Sequence, residues 1–192
     1  MTQIEWVAAG FGVANIILLV RRSIWNYPAA LAMVSLYAWI FAGQKLYSDM
    51  LLQGVFFALN IYGWAHWRGV IQAEVLPVRT LSFGSAGWIL AATVAGWAVW
   101  STAMYQLTDA TAPYWDGAVA ALSVTGQVLL ARRYIANWYY WIAVDLLAIP
   151  LFYSRGLTAT TALYGLFLVL AIVGLLQWRR AHGDAAHTAA FA

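Results

Sequence analysis

Residues 132–145 read Arg132-Arg133-Tyr134-Ile135-Ala136-Asn137-Trp138-Tyr139-Tyr140-Trp141-Ile142-Ala143-Val144-Asp145, and Arg21-Arg22-Ser23-Ile24-Trp25-Asn26 stands 111 residues earlier. The same offset of 111 carries Glu5 to Asp116, Asn26 to Asn137, Phe41 to Phe152, Gly54 to Gly165, Phe56 to Phe167, Gly63 to Gly174 and Trp67-Arg68 to Trp178-Arg179, without a gap. Arginine, asparagine, acids and tryptophan are scarce in this chain, so matches among them mark a duplicated unit rather than coincidence.

What is duplicated follows from composition. Of 192 residues 64% are hydrophobic and 9% charged, against about 45–50% and about 25% in soluble domains, which excludes a water-soluble globule. Apolar runs between polar breaks place seven helices, at about 5–20, 25–43, 50–67, 84–104, 114–131, 137–153 and 157–178. The 18 residues from Tyr114 to Ala131 reach about 27 Å at helical rise, close to the roughly 30 Å of a hydrocarbon core. The chain opens Met1-Thr2-Gln3-Ile4-Glu5 and meets no cation before Arg21. A removable signal peptide opens with positive charge, so the first apolar segment reads as a retained helix.

Helices 1–3 and 5–7 are then the two copies. Because three is odd, helix 4 must return the second copy to the starting side. The expected fold is therefore an all-α integral membrane bundle, two parallel three-helix repeats joined by helix 4 (3+1+3), as in sugar-transporting three-helix-repeat carriers. A single transmembrane domain spans 1–180, with repeat 1 at about 5–68, the linker helix at 84–104 and repeat 2 at about 114–179. Arg21, Arg22, Arg68, Arg79, Arg132, Arg133, Arg179 and Arg180 fall on one side, Lys45 and Arg155 on the other. The excess of cations on cytoplasmic loops then predicts an external N-terminus and a cytoplasmic C-terminus. The short Ala-rich tail 181–192 reads as disordered.

Polar groups inside a bilayer are costly enough to be functional by default. Helix 6 holds Asn137, Trp138, Trp141 and Asp145, the last three at steps of 3 and 4 that share a face. Asp145 lies about 18 Å along the axis from Arg133, near mid-membrane, and Pro150 beyond it removes a backbone hydrogen bond. Two indoles and one carboxylate suit a flat cationic ring, through stacking, cation–π attraction and ion pairing. Trp138 reads equally as an interfacial belt residue, and Asp145 as a bond to a neighbouring helix. Helix 3 offers Gln53, Phe57, Asn60, Trp64 and Trp67 at steps of 4, 3, 4 and 3. Its amides can meet a carboxamide or ribose hydroxyls, or can join helices. Asn15 and Gln127 are weaker candidates for the same cavity, Tyr37, Tyr47 and Tyr164 are candidate caps, and His66 reads as interfacial.

Enzyme chemistry finds no support. The chain has no cysteine and three histidines, His66, His182 and His187. H-E-x-x-H, G-x-S-x-G and Walker motifs are missing, so neither a metal nor an organic cofactor is called for. A retinal Schiff base needs an intramembrane lysine, and the sole lysine, Lys45, falls in a loop.

The chain resembles the Pnu-type bacterial vitamin transporters. The resemblance is carried by Glu5, by Leu46-Tyr47-Ser48-Asp49-Met50-Leu51-Leu52-Gln53, by Ile61-Tyr62-Gly63-Trp64 with Trp67, by Asn137 through Asp145, by Gly156-Leu157-Thr158 and by Gly174-Leu175-Leu176-Gln177-Trp178. It implies a 3+1+3 multi-pass protein of the bacterial cytoplasmic (inner) membrane, facilitated diffusion rather than pumping, and a central site using Gln53, Trp138 and Trp141 with Asp145 as polar partner. Together with the helix-3 face, the expected substrate contacts are Gln53, Asn60, Trp64, Trp138, Trp141 and Asp145. The expected solute is a cationic heteroaromatic vitamin, nicotinamide riboside ahead of thiamine, with riboflavin and deoxynucleosides as the family's other cargoes; the rival reading is a non-transporting membrane assembly protein, in which the tryptophans pack and the polar residues join helices. Partners are that solute, the bilayer and a cytoplasmic kinase that traps the solute by phosphorylation, with no nucleic acid. Composition leaves self-association open, a homo-oligomer included.

Overall fold

A computed structural model describes residues 3–43, 47–71, 78–107, 112–154 and 158–190. They form seven helices: α1 (Gln3–Val20), α2 (Asn26–Gly43), α3 (Tyr47–Ile71), α4 (Phe83–Leu107), α5 (Pro113–Ala131), α6 (Asn137–Ser154) and α7 (Thr158–Ala190). Apolar residues run around every helix, the pattern of helices with apolar surroundings on all sides. Large apolar side chains accordingly face outward, Phe83 at 99% and Trp39 at 75% exposure among them. Water does not tolerate such a surface; lipid does. Phe83–Leu107 and Thr161–Gly183 are the described stretches long and apolar enough to cross a membrane on hydropathy alone. α1, α2 and α6, at 18 residues each, still reach about 27 Å.

Six helices close a ring in the order α1, α2, α3, α5, α6, α7, with α7 returning to α1, while α4 stands outside and packs on α5 alone among the described helices. Four helix ends gather at one face. Trp178 Nε1 of α7 donates to the Leu19 carbonyl of α1 at 3.2 Å, and the Arg133 guanidinium after α5 lies 4.6 Å from the Trp67 ring of α3. α1, α3, α5 and α7 thus run the same way, and all eight arginines of the cationic side belong to that face. Lys45 and Arg155 lie outside the described residues.

The turns entering α2 and α6 are copies of one another. Arg22 (φ 58°) and Arg133 (φ 64°) are both left-handed. Their N–H groups donate to Leu19 and Leu130, each at 2.8 Å, and those of Ser23 and Tyr134 to Leu18 and Leu129, each at 2.9 Å. This is the double hydrogen bond that closes a helix through a left-handed residue, here with arginine where glycine is usual. Asn26 Nδ2 and Asn137 Nδ2 then bond the carbonyls of Ser23 and Tyr134 at 2.6 and 2.7 Å.

The core at this face repeats too. Tyr27 crosses Trp67 edge-on at 5.3 Å, and Trp138 crosses Trp178 edge-on at 5.6 Å. Gly63 makes room for the Tyr27 ring and Gly174 for the Trp138 ring, since a Cβ at either position would run into the aromatic.

α7 continues as far as Ala190 and so takes in residues 181–190 of the Ala-rich tail. Its alanines are the strongest helix formers, and they extend a helix already nucleated by its buried length.

Candidate functional site

α3 ends where α6 begins, so positions on the two helices can be levelled from the Trp67 and Trp138 layer at about 1.5 Å per residue. Trp64 and Trp141 lie about 4–5 Å in, Asn60 and Asp145 about 10 Å in, and Gln53 about 21 Å in. The sequence-derived candidates thus form tiers along the ring's interior axis, with aromatics toward the cationic face and polar groups toward mid-membrane.

Trp141 is half-buried and packs beneath the aromatic core. Gly126 of α5 faces its indole, within 3.5 Å of a Cβ placed there. The indole N–H is buried without an acceptor among the described residues. One turn further, Asp145 is 4% exposed and has no hydrogen-bond or ion-pair partner among the described residues. Elsewhere in a membrane such a carboxylate would be paired. Trp115 Nε1 of α5 caps the Leu147 carbonyl at 2.9 Å, fixing α6 just beyond Asp145.

Asn60 is buried and committed to protein partners. Its Nδ2 donates to the Phe56 carbonyl at 2.8 Å, and its Oδ1 accepts from Gln127 Nε2 at 2.9 Å. That bond ties α3 to α5 beside Gly126, so Trp141, Gln127 and Asn60 form one continuous wall across three helices. Gln53 and Trp64 are half-buried on α3. Phe57, on the same sequence stripe, is exposed and faces away. Trp138, at 1% exposure, is wedged between Gly174 and Trp178 and stands behind Trp141 rather than beside it. His66 stacks on Tyr62 at 6.2 Å at the cationic face. Asn15, Tyr37 and Tyr164 are half-buried, and the Tyr47 side chain lies outside the described residues.

Arg133 has a larger role than its expected one as a topological cation. It is 1% exposed, its three guanidinium nitrogens lack acceptors among the described residues, and it rests on the Trp67 face. Burial pushes its pKa down to about 10, with Tyr27 opposing and Arg22 adding to the shift; at neutral pH it keeps its charge. The signal that could have singled it out is the repeat, which pairs it with Arg22 in the same turn.

The site offers stacking surface, a buried carboxylate without a partner among the described residues and amides, groups suited to holding a flat cation without altering it. Among known proteins, the nicotinamide mononucleotide transporter family matches residues 2–180. The chain belongs to that family. The nicotinamide riboside transporter PnuC of Neisseria mucosa (strain ATCC 25996 / DSM 4631 / NCTC 10774 / M26) is 31% identical over 187 residues, covering 91% of this chain and 71% of the relative. The riboflavin/roseoflavin transporter RibM of Streptomyces davaonensis (strain DSM 101723 / JCM 4913 / KCC S-0913 / 768) is 25% identical over 172 residues, covering 87% and 80%. The crystal structure of the vitamin B3 transporter PnuC superposes with a TM-score of 0.80 at 26% identity, covering 94% of this chain and 82% of that one. Family membership makes the protein a multi-pass membrane transporter and not an enzyme.

Proposed function

We propose that this chain carries nicotinamide riboside across the cytoplasmic (inner) membrane of a bacterium by facilitated diffusion, and that phosphorylation by a cytoplasmic kinase retains the solute. The observation that carries this reading is the Trp141 indole with, one turn away, the buried Asp145, which has no partner among the described residues. A pyridinium ring has both a flat face and a positive charge, and so uses both groups. Gln53 meets the carboxamide or ribose, and Trp64 faces the ring across the site. Asn60, held by Gln127, and Trp138, held by Trp178, complete the site as its inner wall. The PnuC relative and structural neighbour support this cargo.

The arrangement proposed is 3+1+3, with repeats over about 5–68 and 114–179 joined by α4, the N-terminus outside and the cationic face in the cytoplasm. Its support is the ring itself: exchanging the repeats turns the α3·α5 junction into α7·α1, and both junctions are present.

Binding of radiolabelled nicotinamide riboside, thiamine and riboflavin to the purified protein tests the cargo. Saturable binding of nicotinamide riboside ahead of the others is expected; absence of any binding, with liposomes no leakier than empty ones, removes the transport reading. Riboflavin is the second reading because of the RibM likeness, but its ring is uncharged and leaves Asp145 without a counter-charge.

A further inference from the structure

Among the described residues, the polar fastenings of α4 to α5 begin at Thr93. Thr93 and Thr125 share a hydroxyl hydrogen bond at 2.9 Å, Trp97 Nε1 donates to the Tyr114 carbonyl at 2.7 Å, and Ser101 fills the space over Gly117. Toward the cationic face, from Phe83 to Ala92, no hydrogen bond joins α4 to another helix among the described residues. There α4 stands off from α6 and leaves a groove of ≈ 650 Å³ with Leu122 of α5 as its floor. α4 lies outside the six-helix ring, so this groove opens to the bilayer and not to the solute path.

The groove has two chemically distinct ends. Leu90, Leu122 and Ala143 line its deep part, about 10 Å from the helix starts at Phe83 and Asn137, within the roughly 15 Å of one hydrocarbon leaflet. Its rim is formed by Arg179, Tyr139 and His182. Arg179 donates to the Tyr139 hydroxyl and lies 5.5 Å from the Tyr139 ring centroid. Both contacts position the guanidinium without neutralising it. His182 Nδ1 is engaged with the Val78 carbonyl at 3.0 Å, which holds the start of the tail helix against the rim. Arg79, Arg132 and Arg180 are exposed on the same face, and among the described side chains no carboxylate stands there. An apolar slot one leaflet deep beneath a cation that no described carboxylate neutralises has the polarity of an anionic phospholipid, phosphate at the rim and acyl chain below.

We propose that the α4–α6 groove binds one anionic phospholipid from the leaflet at the cationic face, with Arg179 as its headgroup contact. Occupied, it fills the gap that the α4–α5 fastenings leave open and seats the linker helix on repeat 2.

Native mass spectrometry of the purified full-length protein, titrated with phosphatidylglycerol or phosphatidylcholine, tests this. One retained phosphatidylglycerol per chain is expected, with phosphatidylcholine retained far less. Arg179→Gln should weaken retention roughly fivefold or more, the scale of one cation at a membrane surface. Ala86→Trp, which fills the slot from the exposed face of α4 and leaves the rim charge intact, should abolish it. Arg180→Gln, one residue away and outside the groove, should retain the lipid. Equal losses in Arg179→Gln and Arg180→Gln would reduce the effect to diffuse surface charge and overturn the proposal. Displacement by millimolar inorganic phosphate would make the site an anion site without a lipid, and unchanged retention in both groove variants would remove the site altogether.

Discussion

In the proposed site Trp141 and Asp145 would act on a bound cation through different forces, and that difference is measurable. Removing the indole in Trp141→Ala loses stacking and cation–π attraction, about 2 kcal/mol when desolvated, which is roughly a tenfold or larger rise in Kd for the cation, and an uncharged ring ligand, which loses stacking alone, should weaken by less. Asp145→Asn keeps the shape and removes the charge, so binding of the cation should weaken while an uncharged analogue is bound as before. Titration of both ligands against both variants checks this, and equal losses for the two ligands in Asp145→Asn would make the carboxylate structural. Gly174 is a residue of another kind. Its hydrogen occupies the only space between α7 and the Trp138 ring, so Gly174→Ala overpacks the core by about 1–3 kcal/mol. Thermal unfolding in detergent should show a lower midpoint for Gly174→Ala than for Gly165→Ala, whose added Cβ meets nothing within 4 Å.

At the level of elements, the helices were legible because apolar runs long enough to cross a bilayer leave little choice of secondary structure, and the observed ends fall within a few residues of those expected except in α7. Apolar run length could not mark that end, since the Ala-rich stretch continues the helix by intrinsic propensity alone. Helix pairing was less visible. Asn60 and Gln127 are 67 residues apart with no equivalents under the repeat, which places Ala171 and Ile16 at the matching positions. Nothing local says that these two amides meet. Their bond makes a prediction for α3 and α5: in a double-mutant cycle with Asn60→Leu and Gln127→Leu, the pair should couple by about 0.6 kcal/mol, the mean for such bonds in membranes. Additive losses in thermal stability would mean that the two amides do not depend on each other. Trp138 shows a different limit. Periodicity put it on the face of Trp141 and Asp145, but could not say whether the indole turns to a solute or to Gly174. The repeat held that answer, because Tyr27, Gly63 and Trp67 map onto Trp138, Gly174 and Trp178, and a ring seated on glycine in one copy is seated so in the other.

For the whole molecule, the α3·α5 and α7·α1 junctions, which the proposed 3+1+3 arrangement relates to one another, are not chemically equal. α3·α5 carries the Asn60–Gln127 bond and the Arg133–Trp67 contact, whereas α7·α1 carries the Trp178–Leu19 bond over apolar Ala171 and Ile16. Alternating access by rocking of repeats about a midplane site requires helices to change their separation at the end away from the cationic face, where Gly54 and Gly165 occupy matching positions. In the present state both glycines face open space, so that a Cβ at either would meet nothing within 4 Å. A side chain there costs little until the helices close. Gly54→Leu and Gly165→Leu should therefore leave equilibrium binding of nicotinamide riboside within about twofold, while uptake into proteoliposomes slows by roughly tenfold, because small residues permit the close helix approach that the other access state needs. Measuring binding and uptake on the same preparations separates the two effects. Uptake that is unchanged would mean that these faces never meet during transport, and parallel losses in binding and uptake would assign both glycines to the stability of the bundle.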